Sequence, residues 1–286
     1  MSLLLLEQGD SLRRPSWPTL NRLRLDREAL ADRNHGIGGS DANVILSGDS
    51  TRIRGLWLEK RGEADPIDLS ASLPVMLGCW TEPFNRLWFE QVTGTTVGEV
   101  GKSLHCHRHA WRRCTLDGLI DDGPSVWEAK HSNAFAATDE VVERYMPQLQ
   151  HNMAVAGAER AFLSVIFGNH RYEVIEVAAD WFYQLELLEA EQAFWDCVIT
   201  GHEPVPVVPP VTPRPVGTRE VCLQGNNAWG SAASDWLDNR EAAKLHQSAT
   251  KTLKELIEED VGRAYGHGIE AKRSRSGAIT IRELAQ

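Results

Sequence analysis

The 286-residue sequence has few cysteines, a deficit of basic residues and no long hydrophobic run. Its five cysteines, at positions 79, 106, 114, 197 and 222, are scattered and form no CxxC pair. This spacing argues against a disulfide scaffold or a cysteine-ligated cluster and favours a reducing cytoplasm. The apolar run at positions 3–6 ends at Glu7 and is too short for a signal peptide or a membrane span. We therefore expect a soluble, intracellular protein.

Basic residues are outnumbered, with 30 Lys and Arg against 40 Asp and Glu, for a formal net charge of −10. This balance is unusual for a protein that binds nucleic acid. However, DNA is held by local basic patches rather than by net charge, and a metal site needs clustered acids. A hydrophobic content of 42% and ten tryptophans predict a substantial core rather than disorder.

The most informative segment lies between residues 117 and 130. Asp117 lies on a run from 111 to 120, a turn is predicted at 121–124, and Glu128-Ala129-Lys130 follows on a second run. On a strand, Glu128 and Lys130 share one face while Trp127 and Ala129 share the other. Two carboxylates and an ammonium group in one place can hold a divalent cation beside an activated water. The alternative is a surface salt bridge on a hairpin.

Two flanking segments add candidate residues to this hairpin. Glu82 opens a helical segment that ends near Gly94, and its alternative role is to favour the helix N-terminus as a carboxylate in the first turn. Gln148 lies in a segment that predicts a helix starting near Pro147 and crossing the sheet.

A glycine-rich turn near the start of the sequence couples Arg33 to Ser40 and Asp41. Either Ser40 or Asp41 is the expected N-cap of the helix that follows. The alternative for Arg33 is a simple ion pair with Asp32 or Asp41.

The motifs GIGGSDA, LGxxxEP, LDG, ExK and QLQHNM occur in this order and together resemble the YqaJ-type viral recombinases. These are relatives of phage lambda exonuclease within the PD-(D/E)XK nuclease superfamily, and the resemblance covers roughly residues 20–200. It implies an α/β (α+β) fold with a restriction-endonuclease-like core, in which a mixed β-sheet is flanked by helices.

The resemblance also implies a set of site residues. Metal ligands are expected at Glu82, Asp117, Glu128 and the backbone oxygen of Ala129, holding one or two Mg²⁺ ions, for which Mn²⁺ can substitute. Lys130 would orient the attacking water, and Gln148 would lie beside the site. A pocket for a terminal 5′-phosphate is expected at Arg33, Ser40, Thr115 and Gln148.

The implied activity is 5′→3′ digestion of one strand of linear double-stranded DNA, which leaves a 3′ overhang for recombination. The implied partners are duplex DNA ends, a single-strand annealing recombinase and two further copies in a homotrimer, in the cytoplasm of a bacterial host if the chain is phage-encoded. Three alternatives stay open: an endonuclease of the same superfamily, a catalytically inactive DNA-binding or assembly subunit, and an enzyme acting on small phosphate esters. Retention of Glu82, Asp117, Glu128 and Lys130 argues against the inactive subunit.

The order of secondary-structure elements is predicted from the glycine and proline residues that interrupt helices and strands and from the spacing of apolar residues. Strands are expected near 95–107 and at 111–120, 125–130, 160–167 and 171–178, with helices at 139–157 and from 180 to about 200. The last helix is expected to bury the stripe Trp181, Leu185, Leu188, Phe194 and Trp195.

Three modules are expected: a nuclease domain at 1–202, a proline-rich linker at 203–218, and a helical and hairpin accessory module at 219–286. The accessory module is interpreted as a packing or oligomerisation element. Its alternative is a nucleic-acid or partner contact through Lys272, Arg273 and Arg275.

His105, His107 and His109 would share one face of a strand near Cys114, which suggests zinc. The two-residue spacing along a strand fits a tetrahedral site poorly, so a solvated or DNA-facing strand edge is the preferred interpretation.

Overall fold

The computed structural model describes residues 34–65, 69, 71–120, 125–217, 221–274 and 277–284. The chain divides into two compact units, Met1–Thr218 and Arg219–Gln286. Within the described ranges, every helix falls short of the length or apolarity that a membrane span requires.

The first unit is built around a five-stranded mixed sheet in the order β1-β4-β5-β6-β7. Its strands are β1 (Val97–Gly98), β4 (Gly118–Ile120), β5 (Ser125–Ser132), β6 (Arg160–Phe167) and β7 (Arg171–Ala178). β5 and β6 run parallel, and the other neighbours are antiparallel. A short pair, β2 (Ser103–His105) with β3 (Arg113–Thr115), forms a separate sheet.

Among the described residues of this unit, five helices accompany these strands, and the arrangement confirms the predicted mixed sheet flanked by helices. They are α1 (Gly39–Ile45), α2 (Ser50–Lys60), α3 (Leu73–Thr93), α4 (Thr138–Ala156) and α5 (Trp181–Thr200). The large core unites apolar residues of α1, α2, α4 and α5 with the sheet. A smaller cluster places Phe89 of α3 against Val97, Ile120 and Trp127.

Four local predictions for this unit are wrong. The run at 111–120 breaks into β3 and β4, because the Leu116 main chain bonds instead to Gly101 and Lys102. β2 ends at His105, so the three histidines do not share a strand face. α4 matches the helix predicted at 139–157, whereas the predicted start near Pro147 is wrong, because the helix begins nine residues earlier. On α5, Trp181 and Leu185 are exposed.

The face that α5 buries lies about two positions away from the predicted one. It consists of Tyr183, Leu187, Ala190, Glu191, Phe194 and Val198. Glu191 is completely buried, and its carboxylate lies 2.6 Å from His151 Nδ1 of α4 and 2.6 Å from Arg112 Nε. His151 Nε2 lies 2.8 Å from the main-chain oxygen of Arg113. This buried group ties α4 and α5 to the β2–β3 pair.

The proline-rich stretch lies within the first unit. Val216 N donates to Glu176 O at 2.9 Å, Arg54 and Glu203 are 3.3 Å apart, and Val207 packs against the large core. Whether residues 1–202 form a separate folding domain stays a prediction.

The second unit contains α6 (Asn227–Glu255) and a three-stranded antiparallel sheet in the order β10-β9-β8. Its strands are β8 (Arg263–Gly266), β9 (Ile269–Arg273) and β10 (Ile279–Glu283). The predicted hairpin around 274–277 joins β9 and β10, while β8 is an additional strand. The turn before β9 places His267 and Gly268 in the left-handed region, at φ 49° and 80°, which suits a two-residue hairpin turn.

Glu270 of β9 is the buried charge of the second unit, and we expect it to make that unit sensitive to acid. Hydrogen bonds from Arg263 and Arg282 and the nearby charge of Lys272 lower the pKa of Glu270 from an ordinary value near 4.5 to about 2. A lowered pKa stabilises the folded state above the unfolded-state value, and this contribution is lost as the pH falls from about 5 towards 2. The Glu270→Gln variant should therefore lose less thermal stability between pH 6 and pH 3 than the unaltered protein. An equal loss in both proteins would contradict this role of Glu270.

Candidate active site

The hairpin predicted between residues 117 and 130 is formed by β4 and β5, with Gly118 opposite Trp127. Gly118 has no room for a side chain, because a Cβ there would lie 2.3 Å from Val97 Cγ1. Asp117 precedes β4, and its Oδ2 accepts a hydrogen bond from Ala129 N at 2.9 Å. The tight pairing thus fixes the Asp117 carboxylate beside the Glu128-Ala129-Lys130 segment.

Glu128 is 1% exposed and accepts hydrogen bonds from three side chains. Lys130 Nζ and Gln148 Nε2 each lie 2.6 Å from Glu128 Oε1, and Asn152 Nδ2 lies 3.1 Å from Oε2. Burial and the nearby charge of Asp117 raise the pKa of Glu128, while Lys130 opposes that change. Burial on its own would lower the pKa of Lys130, but Glu128 and Asp117 more than offset it and raise that pKa. Glu128 and Lys130 therefore form an ion pair in which Glu128 is buried and Lys130 is half-buried.

Lys130 also packs on an aromatic ring, because its Nζ lies 4.8 Å from the ring centroid of Tyr145. Tyr145 stands three residues before Gln148 on α4, so one face of that helix contacts both Lys130 and Glu128.

Asn43 of α1 holds Gln148 from the other side. Asn43 Oδ1 accepts from Gln148 N at 2.9 Å, and Asn43 Nδ2 donates to Gln148 Oε1 at 3.2 Å. The first bond lies directly after Pro147, where proline disturbs the hydrogen bonding of the helix. A Cβ at Gly39 would lie 2.3 Å from Asn152 Oδ1. The glycine motif therefore lets α1 approach the residues that hold Glu128.

Asp41 of that motif has structural partners. Gly38 is the N-cap of α1, so the prediction that Ser40 or Asp41 occupies this position is wrong. Asp41 Oδ2 accepts from Gly38 N at 2.9 Å and pairs with Lys60 Nζ at 2.6 Å, with both side chains buried.

Glu82 lies in the middle of α3 rather than in its first turn, because the helix already begins at Leu73. Its capping role is therefore excluded. Burial, followed by repulsion from Asp117, raises the pKa of Glu82 to about 7. Asn85, one turn further on, donates to Ser164 O at 2.9 Å and accepts from Ser164 Oγ at 2.6 Å, which fixes α3 against β6.

A cleft of about 720 Å³ opens where α3, α4 and the β4–β5 hairpin meet. It is lined by Glu82, Asp117, Ala129, Lys130, Arg144 and Tyr145, among others. Glu128 is buried and pairs with Lys130 of this lining. Within the described ranges, no three Asp, Glu, His or Cys side chains form a ready-made ligand cluster. The Glu128 carboxylate instead accepts hydrogen bonds from Lys130, Gln148 and Asn152.

The predicted 5′-phosphate residues are only partly described. Arg33 lies outside the described residues. Ser40 and Thr115 are exposed, on α1 and β3, and both elements contact α4, which carries Gln148. The Thr115 hydroxyl lies 3.3 Å from that of Ser103 on the paired strand.

Part of the chain is similar to a known protein family. Residues 29–159 match the model of the YqaJ-like viral recombinase domain. This segment of the chain is therefore similar to the YqaJ-like viral recombinase domain. All the candidate site residues lie within the matched range, and the resemblance seen in the sequence is confirmed.

The uncharacterized protein YqaJ of Bacillus subtilis strain 168 is 29% identical over 185 residues, which are 62% of this chain and 58% of that protein. The match therefore spans less than two thirds of the relative's length. Among solved structures, the alkaline exonuclease LHK-Exo from Laribacter hongkongensis is 19% identical with a TM-score of 0.53, over 62% of this chain and 94% of that chain. The same values hold for LHK-Exo in complex with dAMP. At this identity, the likeness shows that the fold is shared.

Proposed function

We propose that this protein is a metal-dependent deoxyribonuclease that resects linear double-stranded DNA from its 5′ ends. The observation that carries the proposal is the meeting of Glu82, Asp117, the Ala129 main chain and Lys130 at one cleft. Its context, a YqaJ-like domain with the fold of an alkaline exonuclease, supports phosphodiester hydrolysis. The complex of LHK-Exo with dAMP is consistent with a nucleotide-sized site in that fold.

The donor chemistry of the cleft fits a hard divalent cation such as Mg²⁺. Carboxylate and carbonyl oxygens are the ligands that such ions prefer. The raised pKa of Glu82 reflects first its burial and then the repulsion of its charge by Asp117. We therefore assign Glu82, Asp117, Glu128 and the Ala129 oxygen to one or two ions. A bound ion would lower the pKa of a coordinated water and offset negative charge on the scissile phosphate.

The other residues act through position and charge. Lys130 is kept as an ammonium group by Glu128, and it would stabilise negative charge that develops at the phosphate. Gln148 and Asn152 hold the Glu128 carboxylate, and Asn43 holds Gln148. The finer assignments, 5′→3′ polarity, a 3′ overhang handed to an annealing recombinase, and a homotrimer, rest on the family resemblance.

Metal removal should abolish the activity. A linear duplex incubated with the protein in EDTA should release no nucleotides, and Mg²⁺ or Mn²⁺ should restore release. A closed circular duplex in the same mixture is the control, and it should stay intact. Cleavage of the circular duplex would show that the activity is that of an endonuclease and not of an exonuclease. Undiminished release of nucleotides in EDTA would contradict a metal-dependent site.

The 5′-phosphate pocket gives a further prediction. An arginine binds phosphate through two parallel hydrogen bonds, and a hydrogen bond to a charged group contributes about 1.5–3 kcal/mol. Arg33→Ala should therefore lower the preference for 5′-phosphorylated over 5′-hydroxyl duplex by roughly 10- to 150-fold. The ratio of initial rates on the two substrates measures this preference.

Arg52→Ala is the matched control, since Arg52 is an exposed arginine of α2. It should leave the preference unchanged. Equal loss on both substrates for Arg33→Ala would assign Arg33 to structure or to general DNA affinity. If the unaltered protein shows no preference for 5′-phosphorylated duplex, the proposed 5′-phosphate pocket is excluded.

A further inference from the structure

The sheet of the second unit has one polar and one apolar face. Directly paired residues of an antiparallel sheet share a face, so the register sorts the side chains without ambiguity. The apolar face carries the half-buried residues Ala264, Ile269, Ile279 and Ile281 together with the buried Ala271, and the charged residues Arg273 and Glu283 lie at its ends. The polar face carries Arg263, Tyr265, Glu270, Lys272, Thr280 and Arg282.

The polar face carries a net positive charge. Three cationic side chains, Arg263, Lys272 and Arg282, are each about half exposed and all contact the one carboxylate of Glu270, which is 2% exposed. Arg263 Nε lies 2.8 Å and Lys272 Nζ 3.5 Å from that carboxylate. One carboxylate leaves two of the three positive charges uncompensated, on a chain with a net charge of −10. The face is therefore a local site for anions.

Tyr265 stands among these cations with 71% of its surface exposed. The guanidinium of Arg263 lies 4.9 Å from its ring centroid. An aromatic ring between cationic side chains suits a strand with unpaired bases, because a base can stack on the ring while its phosphates contact the cations. A duplex offers no free base face, and an acidic peptide has no need of the ring.

Arg273 does not belong to this face. Its guanidinium donates to the main-chain oxygens of Ile257, Glu258, Val261 and Gly277, which fixes the segment between α6 and β8. Arg275 lies outside the described residues. Of the three basic residues predicted to contact nucleic acid, Lys272 alone is placed on the polar face, and Arg263 and Arg282 are its neighbours there.

We infer that the polar face of the β8–β9–β10 sheet binds single-stranded DNA. Tyr265 stacks on a base, and Arg263, Lys272 and Arg282 contact the phosphates. The choice of DNA rests on the proposed nuclease function, whereas binding of an unpaired strand rests on this face alone.

The test is equilibrium binding of a fluorescent oligo(dT) strand to the full-length protein in EDTA, which separates binding from cleavage. Tyr265→Ala should weaken binding by about 5- to 150-fold, the equivalent of 1–3 kcal/mol for one stacked base. Tyr265→Phe keeps the ring and should bind within about twofold of the unaltered protein. Trp236→Ala is the matched control, since Trp236 is 66% exposed on α6 beside Asp235 and Asp238, and it should change nothing.

Lys272→Gln tests the phosphate contacts independently of the ring. Removing one contact should reduce the slope of log K against log salt by about 0.7. Wild-type binding by Tyr265→Ala, or equal displacement of oligo(dT) by polyglutamate, would overturn the inference in favour of a surface for an acidic protein. If the protein does not cleave DNA, these binding results still test the inference. If the protein does not bind oligo(dT), the proposed cleavage of short duplexes is unaffected.

Discussion

Replacement of Asp117 by alanine is expected to reduce the rate of DNA hydrolysis by at least about 10²–10³-fold. Asp117 lines the cleft, accepts a hydrogen bond from Ala129 N, and raises the pKa of Glu82 by its charge. A metal ligand should matter at least as much as one preorganised group that stabilises a transition state. Single-turnover release of nucleotides from a linear duplex in Mg²⁺ measures the loss, and Glu128→Ala and Lys130→Ala should behave alike.

Two variants separate chemistry from folding. Asp117→Asn keeps an oxygen for Ala129 N but removes the charge, so it should fold and still lose the activity. Asp196→Asn removes a charge from an exposed position on α5 and should keep full activity. Near-normal turnover by Asp117→Ala would exclude this cleft as the active site.

The second large effect is expected on stability, from Glu191→Ala. Glu191 is completely buried and is the carboxylate partner of both His151 and Arg112. Loss of one partner leaves the Arg112 charge buried without compensation, which typically costs about 3–5 kcal/mol. The free energy of unfolding of the first unit, from urea titration followed by circular dichroism, should fall by that amount with little change in the m-value.

Glu189→Ala is the control on the same helix, since Glu189 is exposed, and it should change stability by less than about 0.5 kcal/mol. Glu191→Gln keeps a hydrogen-bond acceptor and should cost less than Glu191→Ala. A loss below about 1 kcal/mol for Glu191→Ala would mean that the buried group does not hold α4 and α5 together.

Elements with a clear period could be predicted from the sequence. β6 and β7 occur at the predicted residues 160–167 and 171–178, since Gly168 marks the turn between two runs rich in β-branched and aromatic residues. α5 also lies where it was predicted. Its buried face differs because α1, α2 and α4 cover the side carrying Tyr183 and Leu187, and helical spacing cannot reveal which neighbours a helix meets.

Part of the candidate site could likewise be predicted from the sequence, and part could not. Asp117, Glu128 and Lys130 come together through a local hairpin, which the sequence can indicate. Asn43 and Gln148 are 105 positions apart, and Asn85 and Ser164 are 79 apart. Single asparagines at such separations carry no spacing signal, so their contacts emerge only once the helices are packed against the sheet.

The most direct test of the cleft as a nuclease site is one time course with a linear duplex labelled at the 5′ end of one strand and at the 3′ end of the other. The protein is added with Mg²⁺, in parallel with Asp117→Asn. We expect the unaltered protein to release the 5′ label first, as a mononucleotide, and Asp117→Asn to release neither label. Release by Asp117→Asn at the rate of the unaltered protein, or no release by the unaltered protein in either Mg²⁺ or Mn²⁺, would contradict this expectation.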